Sequence, residues 1–231
     1  MIFTPLHDRN PLRIIPFQRV TLSIIALCCS LFLAQRLLPV PEAQSLIHGL
    51  GLVPATVFGG SQIPAEQPRV PAELTLLTAA FVHSSWVHLI GNMLFLWVFG
   101  DNVEDSMGHM RFAVFYVLCA ATAGLAHVLS DPDSADMLVG ASGAIAGVLG
   151  AYLVLHPRVK VVALLFHRVP VLLPTYLLIG GWLLAQLASV SWGSRQPVAW
   201  WAHIGGFVAG AILIVPFRYK HVPLFDQRTQ R

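Results

Sequence analysis

Four polar side chains stand inside long apolar stretches of this sequence, and their types suit acyl transfer; they are Ser142, His203, His88 and Asn92. A serine hydroxyl becomes a nucleophile when a histidine within hydrogen-bonding distance takes up its proton. Histidine and asparagine side chains can donate hydrogen bonds to the oxyanion that such an attack creates. We therefore expect Ser142 to be the nucleophile, His203 its base, and His88 and Asn92 oxyanion donors.

Small residues recur four positions apart on two of these stretches, Gly143 with Gly147 and Gly206 with Gly210. Such rows let two helix backbones approach closely. The serine immediately precedes the first row, and the histidine lies three positions before the second, on the same helix face. Contact between the rows would therefore bring the serine hydroxyl to the histidine imidazole.

Carboxylates are missing from the interior of the apolar stretches. The nearest ones lie at the ends of the stretches or in loops, and they are Asp101, Glu104, Asp131 and Asp136. We therefore expect a catalytic dyad rather than a triad, with the histidine oriented by packing.

The composition identifies the surroundings in which these residues must work. Only 11% of the residues are charged, where a soluble domain has about 25%. The apolar residues make up 56% and the mean hydropathy is +0.70. A water-soluble fold of this size could not bury so much apolar surface. The composition excludes a disordered chain, a nucleic-acid-binding domain and an ordinary soluble enzyme, and it indicates a membrane protein.

Charged residues mark the limits of the membrane spans, because a charge at the bilayer centre costs at least about 2.5–3.5 kcal/mol. Six stretches without charge approach or reach the roughly 17–25 residues that a spanning helix needs. They are 20–35 (extended to Leu38), 74–100, 112–130, 137–157, 169–194 and 196–217. A seventh stretch, 43–65, is rejected as a span because of its polar residues, prolines and paired glycines, and is expected to lie partly in the interface.

The basic residues orient the spans. Eleven of the 14 fall on one side: Arg9, Arg13, Arg19, Arg111, Arg158, Lys160, Arg168, Arg218, Lys220, Arg228 and Arg231. The positive-inside rule places this side, with both termini, in the cytoplasm. No cleavable signal peptide and no organellar transit segment are evident, which favours a bacterial inner membrane.

Each feature alone also has a purely structural explanation. Rows of glycine most often serve helix packing, and a single histidine such as His88 or His127 can bridge two helices. Asn92 could bond a neighbouring backbone group. The four candidate residues, however, share one depth on three predicted helices, and packing alone does not predict that layering.

With these motifs in view, the sequence resembles the rhomboid intramembrane serine proteases over residues 20–217. The resemblance is carried by His83 with His88-xxx-Asn92, Gly-x-Ser142-Gly, Ala-His203-xx-Gly206-xxx-Gly210 and Gly100-xxx-Glu104-xxx-Gly108. It implies an all-α, six-helix membrane bundle that hydrolyses peptide bonds in or beside transmembrane segments near the outer face. It also implies Ser142 as nucleophile, His203 as general base, and His88, Asn92 and backbone N–H groups as oxyanion donors.

The resemblance supports a division of the chain into three parts. Residues 1–19 form a cytoplasmic segment, 20–217 the protease core with a half-embedded loop over 39–82, and 218–231 a cytoplasmic tail. The fifth predicted helix and the loop 191–197 would form a lateral gate. Expected partners are transmembrane protein substrates and the bilayer, with no nucleic acid, no cofactor and no metal; the oligomeric state is open.

Two positions depart from the family pattern. Some members have an aromatic residue four positions after the nucleophile, stacked on the histidine, and here that position is Ala146. The Trp-Arg pair that some members have in the first loop is not evident near Glu73. Two other functions stay open: a haem protein with His88 and His203 as axial ligands, and a non-catalytic scaffold of the same fold that binds client proteins.

Overall fold

The computed structural model of the chain describes residues 3–58, 70–191 and 199–225, and these are mostly helical. The helices, in chain order, are α1 (Arg19–Leu37), α2 (Val40–Leu50), α3 (Pro54–Val57), α4 (Thr75–Thr78), α5 (Trp86–Met107), α6 (His109–Ser130), α7 (Ser142–Leu155), α8 (Thr175–Ser191) and α9 (Trp200–Phe217). The strands are β1 (Phe3–Asp8), β2 (Lys160–Leu165) and β3 (Val169–Pro174). Short 3₁₀ turns at Ala72–Leu74 and Ala79–Phe81 flank α4.

Helix α7 forms the centre of the bundle. Eleven of its 14 residues are buried, so neighbours surround it on every side. It packs against α9, α6 and α5, and α1 packs on the far side of α5. A helix that is apolar all round needs such an enclosed position.

The number of spanning helices agrees only in part with the prediction of six. Three helices, α1, α6 and α9, are long and apolar enough to cross a membrane, by length and composition. A fourth counts if Ala72–Phe81 and α5, which meet at an 82° bend, are taken as one span. Helices α7 and α8 are apolar but shorter, with 14 and 17 residues. The six-span bundle therefore stays a prediction.

The prediction of an all-α fold is wrong for residues 160–174. This part of the chain forms an antiparallel hairpin, β2–β3, and β1 adds to its other edge in the order β1-β2-β3. Val161 and Ala163 are buried while Lys160 is exposed, which is the two-residue period of a strand rather than the period of a helix. Pro170 lies in β3, an edge strand, where proline is tolerated.

Two of the charge-free stretches are longer than the helices within them. Helix α5 begins at Trp86, inside the stretch 74–100, because the Ser85 side chain accepts a hydrogen bond from the His88 N–H and caps the helix. Helix α8 begins at Thr175, inside the stretch 169–194, because the hairpin occupies the residues before it.

The segment predicted as a half-embedded loop, 39–82, contains the short helices α2, α3 and α4. None of them is long enough to span a membrane. Residues 59–69 of this segment, 192–197 of the predicted gate loop 191–197 and 226–231 of the tail lie outside the described residues.

We call the side of the molecule that carries the sheet the inner side, and the side where α7 begins the outer side. At the inner end of α5, the carboxylate of Glu104 accepts hydrogen bonds from the N–H groups of Val20 and Thr21 and from the Thr21 hydroxyl, and it also contacts His109. Asp105 accepts three backbone N–H bonds from residues 13–15. These two side chains thus fix the start of α1 and the segment before it.

Candidate active site

Ser142 is the first residue of α7, on the outer side. The first bond within this helix runs from the Ile145 N–H to the Ala141 carbonyl. The N–H groups of residues 142–144 therefore have no carbonyl partner within the helix, and they lie at the positive end of its dipole. Gly140, two residues earlier, has a φ of +119°, which lets the chain turn sharply into the helix.

His203 lies in the first turn of α9, and its Nε2 atom is 2.9 Å from the Ser142 Oγ atom. The histidine is only 7% exposed. This distance is that of a hydrogen bond, so the structure brings the predicted nucleophile and base together.

The close contact of α7 and α9 depends on the two glycine rows. A Cβ atom on Gly206 would overlap the carbonyl oxygen of Gly143, and one on Gly210 would overlap that of Gly147. Only hydrogen fits at these positions, so the two backbones touch. The predicted contact between the rows is therefore present in the structure, and it sets the distance between serine and histidine.

His88 and Asn92 come from the outer end of α5 and line the turn that precedes Ser142. A Cβ atom on Gly140 would lie 2.5 Å from the His88 Nε2 atom and 3.5 Å from the Asn92 Nδ2 atom. The other ring nitrogen of His88, Nδ1, lies 3.1 Å from the Ser84 hydroxyl. Within the described ranges, neither His88 nor Asn92 hydrogen-bonds to the serine or to the base. Both face the space beside the nucleophile.

Two polar side chains, one at the outer end of α5 and one just before it, are fully buried. Asn92 is fully buried, and neither its Oδ1 nor its Nδ2 atom has a hydrogen-bond partner in the described residues. His83, which precedes α5, is also fully buried, and its ring packs edge-on against His88 at 5.2 Å. Buried polar groups are nearly always paired, so the unpaired amide of Asn92 is a candidate for a contact with a bound molecule.

Sequence reasoning missed two residues that contact His203, and both lie on α8. The side-chain amide of Gln186 lies beside the second ring nitrogen, with its Nε2 atom 3.1 Å from His203 Nδ1. The Trp182 ring packs against the imidazole with centroids 5.8 Å apart. A glutamine in the middle of an apolar stretch, four residues after a tryptophan, is the signal that could have pointed to them.

These contacts replace the aromatic residue that is absent at Ala146. That alanine is buried in α7, so the histidine receives its aromatic neighbour from a different helix. Trp200 adds a second ring from α9, perpendicular to the imidazole at 6.5 Å. The base thus has two aromatic neighbours and a polar contact at each ring nitrogen.

A cavity of about 20 Å³ lies near the start of α7, and neither Ser142 nor His203 lines it. Small apolar side chains dominate its lining near the serine, and they include Gly140, Gly143, Ala144 and Ala202. No group of three or more potential metal ligands occurs in the part of the chain that the structure describes.

Comparison with known proteins gives a consistent result. Residues 72–220 match the rhomboid domain family. The chain is 30% identical to the mitochondrial rhomboid protein 1 of Saccharomyces cerevisiae over 73% of this chain and 52% of the relative. It is 27% identical to the rhomboid protease GlpG of Haemophilus influenzae over 84% of this chain and 88% of the relative.

Other relatives match over shorter stretches. The RHOMBOID-like protein 5 of Arabidopsis thaliana is 30% identical over 60% of this chain and 42% of its own length. The chain thus spans about half or less of the yeast and plant relatives. The apolar helices and the family match make it an integral membrane protein. Since the matched domain covers well over half of its length, the chain belongs to the rhomboid family.

Proposed function

We propose that this chain is an intramembrane serine endopeptidase in which Ser142 is the nucleophile and His203 the general base. The observation that carries the proposal is the 2.9 Å distance between Ser142 Oγ and His203 Nε2 at the start of a buried helix. The relative from Haemophilus influenzae is named a protease, and the match covers most of both chains, which supports this function.

The reaction follows from the placement of the two side chains. The Ser142 oxygen bonds to the carbonyl carbon of the scissile peptide while its proton passes to the Nε2 atom of His203. When the tetrahedral intermediate collapses, the peptide C–N bond breaks and the leaving amine takes that proton. Water, deprotonated by the same nitrogen, then hydrolyses the acyl-enzyme and restores the serine hydroxyl.

The oxyanion of the intermediate would be stabilised by donors on two helices. The free N–H groups at the start of α7 supply backbone donors and the positive end of a helix dipole. Asn92 Nδ2 and His88 Nε2 border the same space, and the unpaired state of Asn92 fits a donor that waits for an acceptor.

The surroundings of the serine favour a particular class of substrate. The nucleophile lies within a bundle of apolar helices, so the substrate is a transmembrane segment that unwinds locally to expose its carbonyl. We propose cleavage near the outer face, with both termini in the cytoplasm and a bacterial inner membrane as the location.

The haem alternative is not favoured by the site. An axial histidine needs a free ring nitrogen, and both nitrogens of His203 have partners in the protein. The scaffold alternative requires no reactive serine, so an assay of proteolytic activity distinguishes it from the protease.

A reconstituted cleavage assay tests the proposal. The wild-type chain, Ser142→Ala and the control Ser23→Ala, an exposed serine of α1, are placed in proteoliposomes with a tagged single-span substrate. We expect cleavage by the wild type and the control only, with the new termini mapped by mass spectrometry to the outer part of the span. Cleavage by Ser142→Ala at the same bond would refute the proposal, and a folded wild type that cleaves none of a panel of single-span substrates would favour the scaffold.

A further inference from the structure

The protonation pattern of His203 decides whether it can act as a base. To accept the serine proton, Nε2 must carry a lone pair, so the single proton of the neutral ring must reside on Nδ1. A buried N–H needs an acceptor. The question is therefore what accepts the Nδ1–H bond in a site with no carboxylate partner.

Gln186 is the group beside Nδ1. It is 5% exposed, it lies on α8, and its amide is 3.1 Å from that nitrogen. In the orientation described above, the amide nitrogen faces the ring and the amide oxygen has no partner in the described residues. Rotating the amide by 180° exchanges the two atoms, which ordinary structure determination does not distinguish. The oxygen then accepts the Nδ1–H bond.

The two amide orientations have opposite chemical consequences. With the nitrogen toward the ring, Gln186 donates to Nδ1, the ring proton moves to Nε2, and the ring can no longer accept a proton from Ser142. With the oxygen toward the ring, Nε2 keeps its lone pair toward the serine. The 2.9 Å contact fits both arrangements, because Nε2 can accept from the serine hydroxyl or donate to its oxygen, but only the second arrangement lets His203 act as the base of Ser142.

We propose that Gln186 is a positioning residue of the active site, whose amide oxygen accepts the Nδ1–H bond of His203 and holds the base in its active tautomer. Its effect on rate rests on the proposed function, whereas its effect on the tautomer does not. Trp182, one turn earlier on the same face of α8, holds the plane of the ring. Helix α8 thus fixes both the position and the protonation of a base that belongs to α9.

A neutral acceptor suits this position. A carboxylate here would be a charge buried among apolar helices, which costs free energy unless it is fully paired. An amide avoids that cost but stabilises the protonated ring less. Gln186 therefore fixes the tautomer more than it strengthens the base, and its loss should cost about the free energy of one neutral hydrogen bond.

The test measures the tautomer and the kinetics of the same variants. Gln186→Met keeps length and flexibility without a strong acceptor, and Gln186→Glu restores an acceptor of the same shape. Ser189→Ala removes a polar group from the same helix, where its hydroxyl bonds only within the helix, and it serves as the control. Nitrogen-15 NMR of labelled histidine reports which ring nitrogen carries the proton, and the spectrum of His203→Asn assigns the signal.

We expect the proton on Nδ1 in the wild type and a mixture of tautomers in Gln186→Met. We also expect kcat to fall about five- to tenfold with KM unchanged, as for the loss of one neutral hydrogen bond. Gln186→Glu should recover most of the lost kcat, and Ser189→Ala should match the wild type in both measurements.

Several results would overturn the proposal. They are a wild-type proton on Nε2, an unchanged tautomer in Gln186→Met, or equal kinetic losses in Gln186→Met and Gln186→Glu. If Gln186→Met does not fold, Gln186→Leu takes its place, and the wild-type tautomer alone still decides the first point. A wild type that cleaves nothing would contradict the proposed function, whereas the response of the tautomer to Gln186→Met would still test this inference.

Discussion

Helix α5 has buried polar side chains at both of its ends, and the two ends differ in whether these side chains have hydrogen-bond partners. At the inner end, the carboxylate of Glu104 is fully buried and accepts three hydrogen bonds from Val20 and Thr21. At the outer end, Asn92 is equally buried and has no hydrogen-bond partner in the described residues.

Under the proposed function, this difference separates structural polar groups at the inner end from an oxyanion donor at the outer end. A buried donor or acceptor without a partner costs about 1–3 kcal/mol, and a bundle can omit that cost by placing an apolar residue there. At the inner end this free-energy cost does not arise, because both carboxylate oxygens of Glu104 accept hydrogen bonds. The outer end retains the cost beside Ser142, where a reacting carbonyl would supply the missing partner. Substitutions at the two ends should therefore affect different properties.

The largest effect is expected for the base itself. His203→Ala removes the proton acceptor, and the cleavage rate should fall by about 10⁴-fold or more, since members of a catalytic unit act together. Thermal unfolding in detergent should change little, and His221→Ala, at an exposed site stacked on Tyr219, should cleave like the wild type. Near-normal cleavage by His203→Ala would show that the polar residues at the outer end do not catalyse cleavage.

Asn92→Ala should have the next largest effect, through the oxyanion. We expect kcat to fall about 10²–10³-fold, the loss typical of one oxyanion donor, with KM nearly constant. The unfolding temperature should not fall, because the removed amide has no partner to lose. A variant that is destabilised but turns over normally would show that Asn92 is structural, like its counterparts at the inner end.

Glu104→Ala should show the reverse pattern. It leaves two backbone N–H groups and a hydroxyl buried without an acceptor, so the free energy of unfolding should fall by about 3 kcal/mol. The kcat of the protein that remains folded should stay near that of the wild type. Denaturation followed by tryptophan fluorescence, with activity measured per folded molecule, checks both. A specific loss of kcat without destabilisation would contradict the division between the two ends.

Gly206→Ala tests how the outer region is held together. The added methyl overlaps the Gly143 carbonyl, so α9 must move away from α7, at a cost of about 1–3 kcal/mol. Activity should fall as well, because the same movement lengthens the distance from base to nucleophile. Gly180→Ala on α8, where a Cβ atom meets nothing within 4 Å, is the matched control. Equal behaviour of the two variants would show that the glycine contact does not set the site.

The smallest effect is expected from Asp8 of β1, on the inner side. Burial raises the pKa of this carboxyl above its ordinary 3.8, against the lowering effect of the Tyr152 hydroxyl that donates to it. Because the folded state holds this proton more tightly, stability should decline as pH rises from 3.8 through the raised pKa. The stability of Asp8→Asn should not show this decline with pH. Unfolding temperatures of both proteins across that range check it, and parallel curves would contradict the assignment.

The sequence predicted the outer region better than the inner one. A row of glycines in an apolar helix indicates close contact with another helix, so the approach of Ser142 to His203 could be predicted from Gly143 and Gly206. Apolar runs have no such unique meaning, because a buried strand and a buried helix look alike when only charge-free length is counted. The hairpin of β2 and β3 was missed for that reason.

The contacts of α8 with the histidine were also missed. The absence of an aromatic residue at Ala146 raised the question of what holds His203, but no local pattern names Gln186 and Trp182 as the answer. Those two residues reach the histidine only because α8 packs beside α9, and their partner is set by tertiary packing. The spacing of these two residues was visible in the sequence, but the residue that they contact was not.

The proposed activity requires a serine at position 142 that is reactive because of the histidine at 203. The most direct measurement is covalent labelling of the reconstituted protein by a fluorophosphonate, with the modified residue identified by peptide mass spectrometry. We predict stoichiometric labelling at Ser142 in the wild type and none in folded His203→Ala. A folded wild type that resists the reagent, or undiminished labelling of Ser142 when His203 is replaced, would contradict the central claim.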